Sequence, residues 1–185
     1  MARIHCLRIN VTRDRAIAIF RPPGPIGLLR TWRSGPLRSI ADAYVPFLLH
    51  RVTIENAARR EEKFLALDAV GGVLDLYAFP FPPQTGELTE VDTRNYLEPV
   101  LDAQQANAIL CEKVRRMVFG AGFFRIRNLQ IQAELLPLRL HIPYWIGFSG
   151  RGENAGLVVL DAVRGRLGGS KARSLFTDWL TGTPH

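Results

Sequence analysis

The eight residues LDAVGGVL, Leu67 to Leu74, return as LDAVRGRL, Leu160 to Leu167, ninety-three positions later. In both copies an apolar run ends in Asp, and a glycine follows four residues after it, at Gly72 and Gly165. That spacing predicts a strand running into a tight turn. The carboxylate accepts backbone amides of the turn, while glycine supplies a positive φ at low steric cost. The octet is one of four blocks that recur in the same order. AYVPFLLHRV (43–52) precedes the first copy and LHIPYWIGFS (140–149) the second, which sets Pro46 against Pro143 and Phe47 against Tyr144. Further back, GLLR (27–30) faces GFFR (122–125), and TRDRAIAIF (12–20) faces DAQQANAIL (102–110). Their shared order makes the chain a tandem duplication.

The blocks predict a helix followed by antiparallel strands, written twice. Thr12 and Asp102 are N-cap residues, whose side-chain oxygens accept orphan amides of a first helical turn. After Asp102, apolar Ala106, Ile109, Leu110, Val114, Met117 and Val118 recur at three- and four-residue spacing, so 102–119 reads as an amphipathic helix. The first helix is short, because RPPGP (21–25) cannot continue it. FFRIRNLQIQAEL (123–135) alternates with a slip near Asn128. LRLHIPYWIGFS and AGLVVLDAV then pair as a hairpin around 150–154, and the first copy has a hairpin of its own around a charged loop, ENAARREE (55–62), followed by a strand at 73–79. Ser170 opens a C-terminal helix with an apolar stripe of Ala172, Leu175, Phe176, Trp179 and Leu180. The expected fold is therefore α+β: two tandem repeats, 1–79 and 99–185, joined by an acidic, proline-containing connector at 80–98, with the amphipathic helix at the end.

A helix and antiparallel strands whose last strand runs into LDAVGGVL or LDAVRGRL resembles the PepSY-like repeats. More loosely, it is similar to the cystatin-like roll of a helix wrapped by a curved sheet. The resemblance implies a noncatalytic role, in inhibiting, binding or bracing another protein, and assigns no functional residue.

Charge and chemistry narrow the function. Apolar residues make up 47% of the chain, enough to bury a core and exclude wholesale disorder. No run approaches the roughly 18 to 20 apolar residues of a membrane span, and the start lacks the continuous apolar core of a secretory signal, so a cytoplasmic location without membrane partners is expected. Cys6 and Cys111 then read as free thiols. The net charge of +7 is carried mostly by Arg, with Lys only at 63, 113 and 171. Two basic modules flank the acidic connector. Phosphate-binding loops, dinucleotide fingerprints, HExxH and paired CxxC motifs are all missing from the sequence. GFSGRG places Arg151 where a nucleophile elbow needs glycine, and His5, His50, His141 and His185 have no ligand spacing. No catalytic residue, metal ligand or cofactor is assigned.

The expected function is noncatalytic binding of a protein partner or small acidic ligand, on a surface or pocket between the two repeats. Arg30 and Arg125, aligned at strand starts, are the candidate contacts, able to hold an anion as a symmetric pair. Tyr144 and Trp145 form a second candidate site. Nucleic-acid binding is the alternative, because Arg3, Arg8, Arg13, Arg15, Arg21, Arg30, Arg33 and Arg38 oppose only Asp14 in the first forty-one residues. They fall on several elements, however, and no groove-reading helix or stacking motif accompanies them. An enzyme without a known motif is the remaining alternative.

Overall fold

The computed structural model describes residues 1–21, 24, 35–57, 59–122, 128–150 and 155–182. They are mostly strand, in a mixed sheet with three α-helices, and they correct the expected layout. The order is β1 (Ala2–Leu7), α1 (Arg13–Phe20), β2 (Leu37–Asn56), β3 (Arg59–Asp68), β4 (Tyr77–Phe79), β5 (Leu88–Thr93), α2 (Ala103–Gly122), β6 (Gln130–Ser149), β7 (Gly156–Asp161) and α3 (Ser170–Thr181). Two tandem helix-then-strand repeats are not what the chain builds. Its two compact units are Met1–Val45 with Leu88–Leu97 and His141–His185, and Pro46–Glu87 with Glu98–Leu140.

The first unit contains β1, α1, β5, β7, α3, the beginning of β2 and the end of β6. β1 pairs antiparallel with β5 from Ala2↔Thr93 to Leu7↔Leu88, and meets β6 in parallel at Cys6↔His141. β6 pairs antiparallel with β7 from Tyr144↔Asp161 to Ser149↔Gly156. Val11, Ala16 and Phe20 bring α1 onto Leu160, with Leu37, Ile40 and Trp145 packed around them. The close approach requires Gly147, where a Cβ would stand 2.7 Å from the Phe20 ring. Pairing through β1 is what draws the supposed connector into structure. Its acids alternate on β5, so Asp92 reaches Arg3 at 3.4 Å and Glu90 reaches His5 at 3.2 Å, while Thr93 turns inward.

The second unit contains β3, β4, α2, the end of β2 and the beginning of β6. β2 and β3 pair antiparallel from Phe47↔Asp68 to Asn56↔Arg59, and β4 adds to the other side of β3. The charged stretch expected as a loop at 55–62 is thus strand except around Ala57, which takes φ +55°. Alternation explains the difference, because Glu55 faces Arg60 and the two form an ion pair at 3.7 Å on a solvated ribbon. The α2 stripe of Ala106, Leu110 and Val114 packs on Val52, Ile54, Leu65 and Leu67. Asp102 and Gln105 close a reciprocal capping box at its start: the carboxylate accepts from Gln105 N at 2.7 Å, and Gln105 Oε1 accepts from Asp102 N at 3.0 Å.

Each unit repeats one set of contacts. In the second, Asp68 Oδ1 accepts from Gly71 N and Gly72 N at 3.0 and 2.8 Å, and Oδ2 from Leu74 N at 2.8 Å. Ala69 N donates to Pro46 O, and Ala69 O accepts from Val100 and Leu101, the residues leading into α2. In the first, Asp161 Oδ1 accepts from Val163 N and Arg164 N, Ala162 N donates to Pro143 O, and Ala162 O accepts from Asn10 and Val11, the residues leading into α1. Gly72 and Gly165 stand at φ +63° and +68°. The recurring octet is therefore a braced turn that anchors a helix start. The turn written in the first half of the sequence anchors the helix of the second half, and the reverse also holds. This exchange is why tandem repeats do not form, although the blocks themselves recur.

One buried imidazole of the second unit links stability to pH. His50 has no solvent exposure; Nδ1 donates to Leu48 O at 3.1 Å, and Nε2 has no hydrogen-bond partner among the described residues. Burial lowers its pKa below 6.5, against a weaker opposing effect of the Leu48 hydrogen bond. The unfolded chain therefore binds the proton more readily than the folded one. His50 imposes no penalty above the unfolded pKa, and stability falls as pH drops below about 6.5, by up to about 1.4 kcal/mol per pH unit. Urea midpoints measured from pH 7.5 to 5 are expected to show this slope in the wild type and a shallower one in His50→Leu. Equal slopes would assign the pH dependence elsewhere.

Candidate functional site

In the first unit, the start of β2, the end of β6, the start of β7 and the last turns of α3 surround a cleft of about 670 Å³, a volume within the range of small-molecule sites. Its apolar walls are Phe148, Leu157 and Leu180, and its hydroxyls come from Ser39, Ser149, Thr177 and Thr181. Arg38 is its one charged lining residue among those described. Local structure accounts for the surfaces. Ala172, Leu175 and Phe176 bury the inner face of α3, which leaves Leu180 47% exposed at the cleft rather than in the stripe expected from sequence. The helix starts after Gly169, not at a capping Ser170, and ends on Gly182 at φ +68°.

Most of the hydroxyls are committed as donors. Thr177 Oγ1 donates to Arg173 O at 2.8 Å, Thr181 Oγ1 to Thr177 O at 2.9 Å, and Ser149 Oγ to Gly156 O at 3.3 Å. They offer an incoming ligand lone pairs. Among the described residues no side-chain hydrogen bond engages Arg38 or Ser39, which are adjacent at the start of β2.

A second, smaller groove of about 120 Å³ shares Arg38 and Ser39 and is lined also by Arg13, Ile17, Arg21, Leu37 and Ile40. Arg21 is held in place by donating to the Leu37 carbonyl. Five arginines meet acids: Arg3 pairs with Asp92, Arg51 with Glu62 and Glu134, Arg60 with Glu55, and Arg115 and Arg116 with Glu112. Among the described residues no ion pair reaches Arg13, Arg21 or Arg38.

Arg30 and Arg125 lie outside the described residues, as does His185. Tyr144 and Trp145, the other site expected from sequence, are packing residues of the first unit: Tyr144 is buried against Phe176, and Trp145 Nε1 donates to Val11 O at 2.7 Å. His141 Nδ1 donates to His5 O. Cys6 and Cys111 are free thiols. Burial raises Cys6 to about 11 and also raises Cys111, so neither is a thiolate nucleophile at neutral pH. Among the described residues no three His, Cys, Asp or Glu side chains converge to hold a metal, and no helix is long and apolar enough to cross a membrane. The sequence signal that could have found the cleft was Leu180, an apolar residue at the margin of its helical stripe, together with a first forty-one residues rich in arginine but poor in acids.

Comparison with protein-family models, with curated proteins and with solved structures gives no match for this chain.

Proposed function

We propose that the protein is a noncatalytic binder of a small acidic ligand carrying an apolar portion, held in the cleft of the first unit with Arg38 as the anion contact. The observation that carries this reading is the lining. One guanidinium, without an ion-pair partner among the described residues, stands at the edge of a cleft whose other walls include apolar side chains and three hydroxyls already donating to backbone. Such a wall buries hydrocarbon, and a charge-assisted hydrogen bond to Arg38 fixes the acidic end. Among the described lining residues there is no His, Asp, Glu or Lys, and recognition is the chemistry this wall supports.

Calorimetric titration with laurate, below its micelle concentration, tests the reading. The wild type is expected to bind, and Arg38→Glu to weaken binding at least tenfold by placing a like charge against the carboxylate. Leu180→Asp, at a largely exposed position, should also weaken binding while leaving the urea midpoint within about 0.5 kcal/mol of wild type. Absence of laurate binding by the wild type, or undiminished binding by Arg38→Glu, would overturn the proposal.

A further inference from the structure

We infer that the ligand's acidic end is a phosphate monoester rather than a carboxylate, making the ligand a single-chain alkyl phosphate; this inference rests on the cleft reading above. A carboxylate carries one negative charge and is satisfied by one guanidinium. The cleft provides more. Arg38 and Ser39 belong both to the apolar cleft and to the adjoining groove, and that groove adds Arg13 and Arg21. Three arginines thus line a groove of about 120 Å³ beside a cleft of about 670 Å³. Neither lining contains a described carboxylate.

The groove gathers three arginines where the described lining of the cleft has one, as the charged end of an alkyl phosphate requires. A phosphate monoester presents about −1.5 to −2 charge at pH 7 and three acceptor oxygens. It matches several fork-shaped donors, and arginine is the side chain best suited to it. Arg21 is already oriented by its bond to Leu37 O, so part of the ordering cost of its side chain is met before the ligand arrives. The apolar cleft argues for an attached chain, because inorganic phosphate would leave Phe148, Leu157 and Leu180 without a role. The groove is too small to track a polynucleotide backbone, and no exposed aromatic side chain in it offers a base a stacking surface.

The test uses the full chain and calorimetric titration with dodecyl phosphate, laurate, inorganic phosphate and a short single-stranded oligonucleotide, the two amphiphiles below their micelle concentrations. Dodecyl phosphate is expected to bind at least tenfold more tightly than laurate and at least a hundredfold more tightly than inorganic phosphate. In the double variant Arg13→Ala, Arg21→Ala, the preference for dodecyl phosphate over laurate should fall to nearly one. If laurate binds as tightly as dodecyl phosphate, the phosphate inference is overturned while the cleft reading stands. If neither amphiphile binds, both fall. Inorganic phosphate or the oligonucleotide binding as tightly as dodecyl phosphate would remove the apolar chain from the proposal and overturn it. Sedimentation with phosphatidic acid vesicles, without binding of monomeric dodecyl phosphate, would make the surface a membrane contact and overturn it equally.

Discussion

Asp68→Ala is expected to destabilise the second unit by about 3 to 5 kcal/mol, more than Asp161→Ala destabilises the first. Asp68 is completely buried and holds the amides of Gly71, Gly72 and Leu74. Removing the carboxylate leaves two buried donors and one half-buried donor without their acceptor, and each lost buried hydrogen bond costs about 1 to 3 kcal/mol, with incomplete additivity. The same turn presents Ala69 O to the entry of α2, so the loss reaches the helix. Asp161 is 7% exposed and its contacts include the amides of Val163 and Arg164; its greater exposure sets the expected cost at about 2 to 3 kcal/mol. Asp68→Asn should fall between wild type and Asp68→Ala: Oδ1 survives, but an amide group replaces Oδ2 opposite the Leu74 N–H. Urea denaturation followed by far-ultraviolet circular dichroism measures all three. Trp145 and Trp179 lie in the first unit, which makes their fluorescence a separate reporter. An Asp68→Ala midpoint equal to that of wild type would show that the brace contributes nothing.

Gly35→Ala is the second large effect, about 3 kcal/mol. Gly35 has φ +72°, and a Cβ there would stand 2.7 Å from Gly150 Cα and 3.0 Å from Gly150 N. The obstacle is backbone, so no rotamer change relieves it, and the strands must shift. Gly182 separates this contact from the conformational cost: its φ is +68°, yet a Cβ there meets nothing within 4 Å. Gly182→Ala should therefore cost only about 1 kcal/mol. Gly150 lines the cleft, so Gly35→Ala is also expected to weaken laurate binding. Thermal unfolding of the two variants side by side checks the difference, and equal losses would mean that the close approach is not what fixes glycine at position 35.

What could be read from the sequence was local. Asp68 and Asp161 could be placed as turn braces because an Asp at a strand end and a glycine four residues on have one economical geometry. Thr12 and Asp102 could be placed as caps for the same kind of reason, and both accept the N–H three residues on. The β6–β7 hairpin followed from its glycine-bounded loop. What escaped was pairing between distant segments. Nothing local says that Leu88–Thr93, taken as part of a connector, should lie beside Ala2–Leu7, since that depends on β1 offering an edge. The charges at 59–62 suggested a loop because their partners, across the ribbon on β2, are set by register. The octet likewise carries no label saying whose helix it anchors. The cleft is assembled from residues 38–39, 148–157 and 177–181, which meet only after the chain has folded.

The way the chain is shared between its units bears on how it is made. The second unit is complete once residue 140 has emerged from the ribosome, whereas the first needs Met1–Val45 to wait for His141–His185. That interval spans roughly 95 residues, or about 5 to 20 s of synthesis. For that time α1 lacks Leu160, and the Ala162 carbonyl that fixes its entry has not yet been made. The nascent amino-terminal segment thus exposes apolar side chains while a finished unit folds behind it. Slow decoding between residues 46 and 140 would lengthen that exposure, so the risk of aggregation during production is concentrated in the earliest part of the chain.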